Sequence, residues 1–317
     1  MTDPHRPITA RGERSYGGYR PLADGTVRAD EPEDSRHPDP PPRLTEIDDH
    51  LRHRFQDASR LLCCLDFDGT LAPIVADPDD AVLPEPTREA LQQLAGDTDI
   101  HVAIVSGREL SDLRARVAAP VTLVGNHGLE LERAGKRAIH PVAKKQSTVV
   151  ATCCGLLETV LDPLWDCRVE FKGLTGTVHL RSVSAGASRH VRSTVQQLVE
   201  NVAGESVSLS TGKDVLELRP AMDWGKGDAV ELLLSEEPAR TVPIYLGDDT
   251  TDEHAFAAVE PRGVGILVGK RRPSVASRRV DSPATVSSLL EWFAEEGTGQ
   301  LETADRSGSD IYPLPEG

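Results

Sequence analysis

The sequence predicts an α/β protein: a doubly wound parallel sheet core into which an α+β cap domain is inserted. Three observations carry that prediction. Short apolar runs alternate with helical patterns over residues 61–125, the same alternation returns over 225–294, and the stretch between switches to paired strands joined by short turns. Strands separated by helices of this length imply right-handed βαβ units and a sheet covered on both faces. Successive hairpins flanked by helices imply a separate antiparallel sheet. The chain is therefore expected to leave its core, build a lid and return.

The elements follow in order. Residues 1–43 are proline-rich, end in Pro40-Pro41-Pro42 and hold few apolar side chains, so a disordered leader is expected. Leu44, Ile47, Leu51 and Phe55 recur at helical spacing and predict an amphipathic entry helix. Strand 61–65, helix 87–95, strand 100–105, helix 109–117 and strand 121–125 open the core. The inserted module reads as helix 143–161, the alternating runs "RVEFKG" and "TVHLRS", helix 187–202, and the runs "SVSLS" and "DVLELRP". Helix 225–234, strand 242–246, helix 252–259, strand 263–268 and helix 285–294 complete the core. The expected division is a core of 44–132 with 220–297, a cap of 133–219 and a flexible tail of 298–317. Hinges are expected near residues 132 and 220.

Composition narrows the partners. A formal charge of −16 on 317 residues argues against a sequence-independent grip on nucleic acid or an anionic membrane. No apolar run approaches the ~20 residues of a membrane helix, and residues 1–30 show no apolar core of a signal peptide. The five cysteines are odd in number and form no CxxC pattern, which reads as buried, reduced thiols in a cytoplasmic protein.

In "LLCCLDFDGTLAP" the first predicted strand runs straight into Asp66 and Asp68. Ligands of open parallel sheets bind beyond the carboxyl ends of the strands, and paired carboxylates there suit a hard cation such as Mg²⁺. A charged turn is the plain alternative. A calcium loop fails on spacing, because its required glycine would fall at Leu71. Three further segments weigh toward chemistry. Ser106, Gly107 and Arg108 follow the second strand in "IVSGRE", Lys226 opens a helix in "MDWGKGDA", and Asp248, Asp249 and Asp252 follow a late strand in "YLGDDTTDE". Each alone could be a capped helix start; four in this order are not expected by accident.

This order of motifs resembles the phosphatases of the haloacid dehalogenase (HAD) superfamily. With "GNHGLE", "VEFK" and "GKDVLELRP" added, residues 58–296 are similar to the trehalose-6-phosphate phosphatase family. The resemblance implies a HAD-like core and a Mg²⁺-dependent phosphomonoester hydrolase acting on trehalose 6-phosphate. It implies Asp66 as nucleophile and Asp68 as general acid and base, with Ser106, Lys226 and the N–H groups near Gly69 on the phosphoryl group. Asp66, Asp68 and Asp248 would hold Mg²⁺, with Asp249 and Asp252 in support. Glu170, Lys172, Lys213 and Glu217 would reach the sugar from the cap, and Gly107, Arg108, Asn126 and His127 from the core. A functional link to a trehalose-6-phosphate synthase is implied as well. On periodicity alone the cap charges read as a solvated sheet face, and His179 as structural. The alternatives are a HAD phosphatase for sucrose phosphate or a glycosyl-phosphoglycerate, a sugar-phosphate sensor without catalysis, and an acidic scaffold using the leader.

Overall fold

The computed structural model describes residues 41–44, 49–56, 58–161, 167–212, 214–270 and 273–297. Ile47, Lys213, most of the expected leader and the expected tail lie outside the described residues.

Helix α1 (Asp49–Gln56) brings Leu51 and Phe55 into the core. The core then runs β1 (Arg60–Leu65), α2 (Glu85–Gly96), β2 (Ile100–Val105), α3 (Leu110–Arg116), β3 (Thr122–Gly125), β4 (Glu130–Arg133) and β5 (Lys136–Ile139). The inserted region follows as α4 (Pro141–Leu161), β6 (Arg168–Phe171), β7 (Gly176–His179), α5 (Ala185–Ala203), β8 (Val207–Gly212) and β9 (Val215–Pro220). The chain returns through α6 (Lys226–Ser235), β10 (Thr241–Gly247), α7 (Glu253–Val259), β11 (Val264–Val268), β12 (Arg278–Val280) and α8 (Pro283–Trp292).

The larger sheet has the order β12-β11-β10-β1-β2-β3-β4-β5, parallel from β12 to β3. Strand β1 is central, and the chain grows outward from it in both directions. Side-chain alternation along β1 makes the two layers. Leu61, Cys63 and Leu65 pack with Leu91 and Leu94 of α2, Leu110 and Leu113 of α3, and Leu289 and Leu290 of α8. Leu62 and Cys64 pack on the other face with Val230 and Leu233 of α6 and Phe256 and Val259 of α7. None of the five cysteines forms a disulfide, and burial pushes Cys63 up to about 12.

Two features exceed the sequence-based expectation. Strands β4 and β5 form an antiparallel extension, so the larger sheet runs to Ile139, past residue 132. Their sequences "ELER" and "KRAI" carry little apolar content, because β5 is an exposed edge. The three-residue β12 is too short to show a period.

The second sheet is antiparallel, in the order β6-β7-β9-β8. Val178, Leu216 and Leu218 of its strands pack against Cys153 and Leu157 of α4 and Val191, Val195 and Val199 of α5. Helices cover one face of this sheet, and the other face is left for the cleft. A small cluster joins the two sheets: Leu129, Ala143 and Leu174, with Met222 and Trp224 packed against them. Trp224 fixes that junction by donating its indole N–H to the Gly128 carbonyl at 2.8 Å.

Candidate active site

The register of three parallel strands assembles the site. Leu65 of β1 sits opposite Ile104 of β2 and Leu246 of β10, so the residues that follow emerge side by side. They are Asp66, Ser106 and Asp248, at the carboxyl edge of the sheet. Phe67 and Leu71 anchor the loop after β1 in the core, and the Gly69 N–H closes it on the Ala72 carbonyl at 2.8 Å. Gly69 has φ +83, and a Cβ there would stand 2.2 Å from Asp248 Oδ2. Glycine is required because the Asp248 carboxylate occupies that space.

Lys226 is the first residue of α6, and its ammonium lies between two carboxylates. Nζ donates to Asp66 Oδ1 and to Asp252 Oδ1, both at 2.7 Å. All three side chains are nearly inaccessible. Asp252 is saturated: Oδ1 also accepts the Tyr245 hydroxyl at 2.7 Å, and Oδ2 accepts the N–H groups of Asp248 and Asp249 at 3.0 and 2.9 Å. Asp252 therefore positions Lys226 and the loop after β10.

Electrostatics distinguish the members. Burial opposes the charge on Lys226, but Asp252 and Asp66 outweigh it and hold the ammonium protonated well beyond its usual range. Burial pushes Asp66 well above the ordinary carboxylate range, against the pull of Lys226, and Asp252 and Asp248 add to the push. Asp248 is driven up to about 7, first by burial and then by Asp252 and Asp249.

The donor set fits a hard cation. Carboxylate oxygens of Asp66, Asp248 and Asp252 lie within 4.8 Å of one another. Three carboxyl groups face one ammonium, and a bound cation would offset the mutual repulsion that raises Asp66 and Asp248. Since Asp252 is saturated, Asp66 and Asp248 are the pair able to bind it. All-oxygen ligation suits Mg²⁺ rather than a softer metal.

Asp68 is gripped by Arg108. The guanidinium donates Nε to Asp68 Oδ2 and Nη2 to Asp68 Oδ1, each at 2.6 Å. It also reaches Asp112 Oδ2 at 2.7 Å and the Pro78 carbonyl at 2.8 Å, and it lies over the Phe67 ring. Arg108 lines the cleft, yet its donors orient Asp68. Each Asp68 oxygen has a second lone pair, so this grip leaves room for a proton. Next to Arg108, a Cβ on Gly107 would stand 2.6 Å from the His127 imidazole. Burial holds His127 below its ordinary 6.5, and Nε2 faces Glu217 Oε1 at 3.5 Å.

The roof is the open face of the cap sheet. Glu170, Thr177 and Glu217 stand opposite one another on β6, β7 and β9, forming one cross-strand row. Between this roof and the floor lies a cleft of 1060 Å³. That is at the upper end of the roughly 300–1,000 Å³ of small-molecule sites. Its lining brings together Asp66, Asp68, Ser106, Gly107, Arg108, His127, Glu170, Lys172, Glu217, Lys226, Asp248 and Asp249. Gly69 and Asp252 support the floor without being among the lining residues, Asn126 is fully buried behind it, and Lys213 lies outside the described residues.

Sequence reasoning missed three contributors. His179, read as structural, donates Nε2–H to Glu170 Oε2 at 2.8 Å and lines the cleft. That bond is the first reason Glu170 falls to about 2, with Lys172 adding to it against burial. Arg168 and Arg181 of the cap reach the core loop 74–79, Arg168 at Asp79 and Arg181 at the Ala76 carbonyl. The only signal for His179 was its place opposite Arg168, diagonal to Glu170, which is visible once the hairpin is aligned.

Comparison with known proteins agrees with this geometry. A trehalose-phosphatase family model matches residues 64–284. A trehalose-phosphate phosphatase of Mycobacterium bovis (strain BCG / Pasteur 1173P2) is 37% identical over 241 residues, which cover 73% of this chain and 60% of that protein. The chain thus spans about three fifths of the curated trehalose-phosphate phosphatases it matches. In fold, the C-terminal domain of Candida albicans trehalose-6-phosphate phosphatase superposes with a TM-score of 0.68 at 22% identity, covering 82% of this chain and 99% of that one. A haloacid dehalogenase-like hydrolase of Bacteroides thetaiotaomicron gives 0.52 at 17% identity, covering 73% and 98%. The fold is HAD-like.

Two outcomes are expected of the charges. Lys226→Met leaves Asp66 and Asp252 buried without their cation and should destabilise the protein by about 3–5 kcal/mol; an unchanged urea midpoint would refute the pairing. Glu170 has a folded value below its ordinary 4.5, so its contribution to stability is present above that pH and fades as the pH falls toward 2. Glu170→Gln should therefore flatten the acid limb of the stability curve over that range, and parallel curves for the two proteins would contradict it.

Proposed function

Because the chain belongs to the trehalose-phosphatase family, we propose that it hydrolyses trehalose 6-phosphate to trehalose and phosphate through an aspartyl-phosphate at Asp66. The observation that carries this reading is the buried Asp66–Lys226 pair at the floor of a cleft roofed by sugar-compatible carboxylates. Phosphate-monoester hydrolysis needs accelerations up to ~10²¹, of which general acid catalysis supplies only about 10²–10⁴. Positioning and charge must supply the rest.

An Asp66 oxygen attacks phosphorus while the bond to the sugar oxygen breaks, and a proton on Asp68 passes to that oxygen. Asp68, held by Arg108, then takes a proton from the water that attacks the phosphorus and frees Asp66. Lys226, Ser106 and the N–H groups around Gly69 face the phosphoryl oxygens. Mg²⁺, when bound by Asp66, Asp248 and the Asp68 carbonyl, offsets the charge of the phosphoryl group. Lys226 and Asp252 keep Asp66 aimed before the substrate arrives.

The cap selects the sugar. Glu170 and Glu217 remain carboxylates at any physiological pH, so they act as pure acceptors toward hydroxyl groups. Lys172 supplies the donor between them. We place the enzymatic core in 44–140 with 221–297, since β4 and β5 carry its sheet past the expected boundary at 132, and the selecting cap in 141–220, with the cap opening to admit the disaccharide. Among the described residues no helix is long and apolar enough to cross a membrane. The thiols and acidic charge support a cytoplasmic setting, where a trehalose-6-phosphate synthase would supply the substrate.

The substrate assignment is tested by phosphate release from trehalose 6-phosphate, sucrose 6-phosphate and glucose 6-phosphate, with and without Mg²⁺. Release is expected from trehalose 6-phosphate and to stop when EDTA removes the metal; preference for another ester would overturn the substrate. Glu170→Ala should lose the disaccharide ester while sparing p-nitrophenyl phosphate, and an equal loss on both would remove the cap from the account. Asp66→Asn should fold and lose turnover by at least about 10⁴-fold, the scale of removing a nucleophile.

A further inference from the structure

We propose that Asn126 is a positioning residue that ties the cap loop carrying Lys172 to the core turn beside Ser106 and Arg108, keeping the sugar-reading and phosphate-reading halves of the cleft in register. The inference rests on the proposed sugar-phosphate hydrolysis, because it concerns how the two halves work together.

Asn126 is 0% exposed, and its amide is used on both ends. Nδ2 donates to the Lys172 carbonyl at 2.9 Å and to Glu130 Oε1 at 2.7 Å, while Oδ1 accepts the Thr175 hydroxyl at 2.5 Å. Two of these partners belong to the cap turn between β6 and β7, which closes by Lys172 N–H to the Thr175 carbonyl at 2.8 Å. The third leads into the core, since Glu130 Oε1 also accepts the Leu110 N–H at the start of α3. The backbone adds two more ties: Asn126 N–H donates to the Arg108 carbonyl at 2.7 Å, and His127 N–H to the Ser106 carbonyl at 2.9 Å.

The local conformation shows that this arrangement is held against strain. Asn126 and His127 have φ of 48° and 58°, two successive left-handed residues that are not glycine. Such conformations persist only where surrounding contacts over-determine them. Here the determinants are those five hydrogen bonds and the Leu129–Ala143–Leu174 cluster alongside. Asparagine tolerates the left-handed region and presents a donor and an acceptor on a short stem. Aspartate would keep the acceptor for Thr175 but set a second carboxylate against Glu130. Asn126 is not among the cleft-lining residues, so its influence on a substrate passes through Lys172, and through Glu170 two residues earlier on the same strand edge.

The test is steady-state kinetics of Asn126→Ala, Asn126→Asp and Thr175→Val on trehalose 6-phosphate and on p-nitrophenyl phosphate, which lacks the disaccharide. Asn126→Ala and Asn126→Asp are expected to raise KM for the disaccharide ester roughly tenfold, since both lose the Nδ2 ties to Lys172 and Glu130. Turnover of the small ester should change far less. Thr175→Val removes one tie only and should shift the same ratio in the same direction by a smaller factor, which keeps the proposal decidable if the Asn126 variants do not fold. In a double-mutant cycle with Lys172→Ala the two effects should be non-additive. Equal losses on both esters, an unchanged ratio in Thr175→Val, or strict additivity would overturn the role. If the wild type prefers another sugar phosphate, the substrate assignment fails alone, and the same comparison on that ester still decides the role of Asn126.

Discussion

The ammonium of Lys226 sits in the interior between Asp66 and Asp252, and the floor of the site depends on that pair of bonds. A lone carboxylate at the depth of Asp66 would be neutral, and a lone ammonium there would lose its proton. Together they hold a carboxyl group with one oxygen directed beneath a cleft, Lys226 pulling against the burial that raises Asp66. Asp66 and Lys226 are 160 positions apart in the chain, so the bond forms only when β1 and the start of α6 meet across the sheet. Asp252 completes the arrangement by gathering Lys226, Tyr245 and two backbone N–H groups onto one side chain. As the proposed nucleophile, Asp66 is thereby preorganised before a substrate binds, which is where electrostatic catalysis has its largest effect.

The second organising fact is division of labour between two sheets. The parallel sheet supplies rigid strand ends for chemistry, and the antiparallel sheet supplies a flat face whose residues stand in rows. Glu170, Thr177 and Glu217 come from three strands and still form one row, because register alone places them. The overall charge of −16 would repel the proposed phosphorylated substrate. Arg108, Arg168, Lys172, Arg181 and Lys226 are the cations of the cleft, and the Asp and Glu residues lining it outnumber them.

Much of this was legible in the sequence, for identifiable reasons. Helix and strand periods are written in single segments, so the parallel core, the long helices 141–161 and 185–203 and the two cap hairpins could be read from local pattern. Strands β4 and β5 could not, since an exposed four-residue edge carries no apolar alternation. The positions of the acidic motifs followed from strand ends. What could not be read was which neighbour each polar group would choose. Arg108 was expected at the sugar and instead grips Asp68; Asn126 was expected in the cleft and is buried behind it; His179 was expected to be structural and is bonded to Glu170. The first two choices are made across 40 and 46 residues of chain, where only the closed tertiary structure brings the partners together, and the third is made within one hairpin.

The claim on which the rest depends is that Asp66 carries the phosphoryl group. Borohydride reduction during turnover of trehalose 6-phosphate, followed by peptide mass mapping, tests it directly, because an aspartyl-phosphate is reduced to homoserine while a free carboxylate is not. Homoserine at position 66, dependent on substrate, is the predicted result. Active turnover with Asp66 unmodified, or with the modification on Asp68 or Asp248, would contradict it.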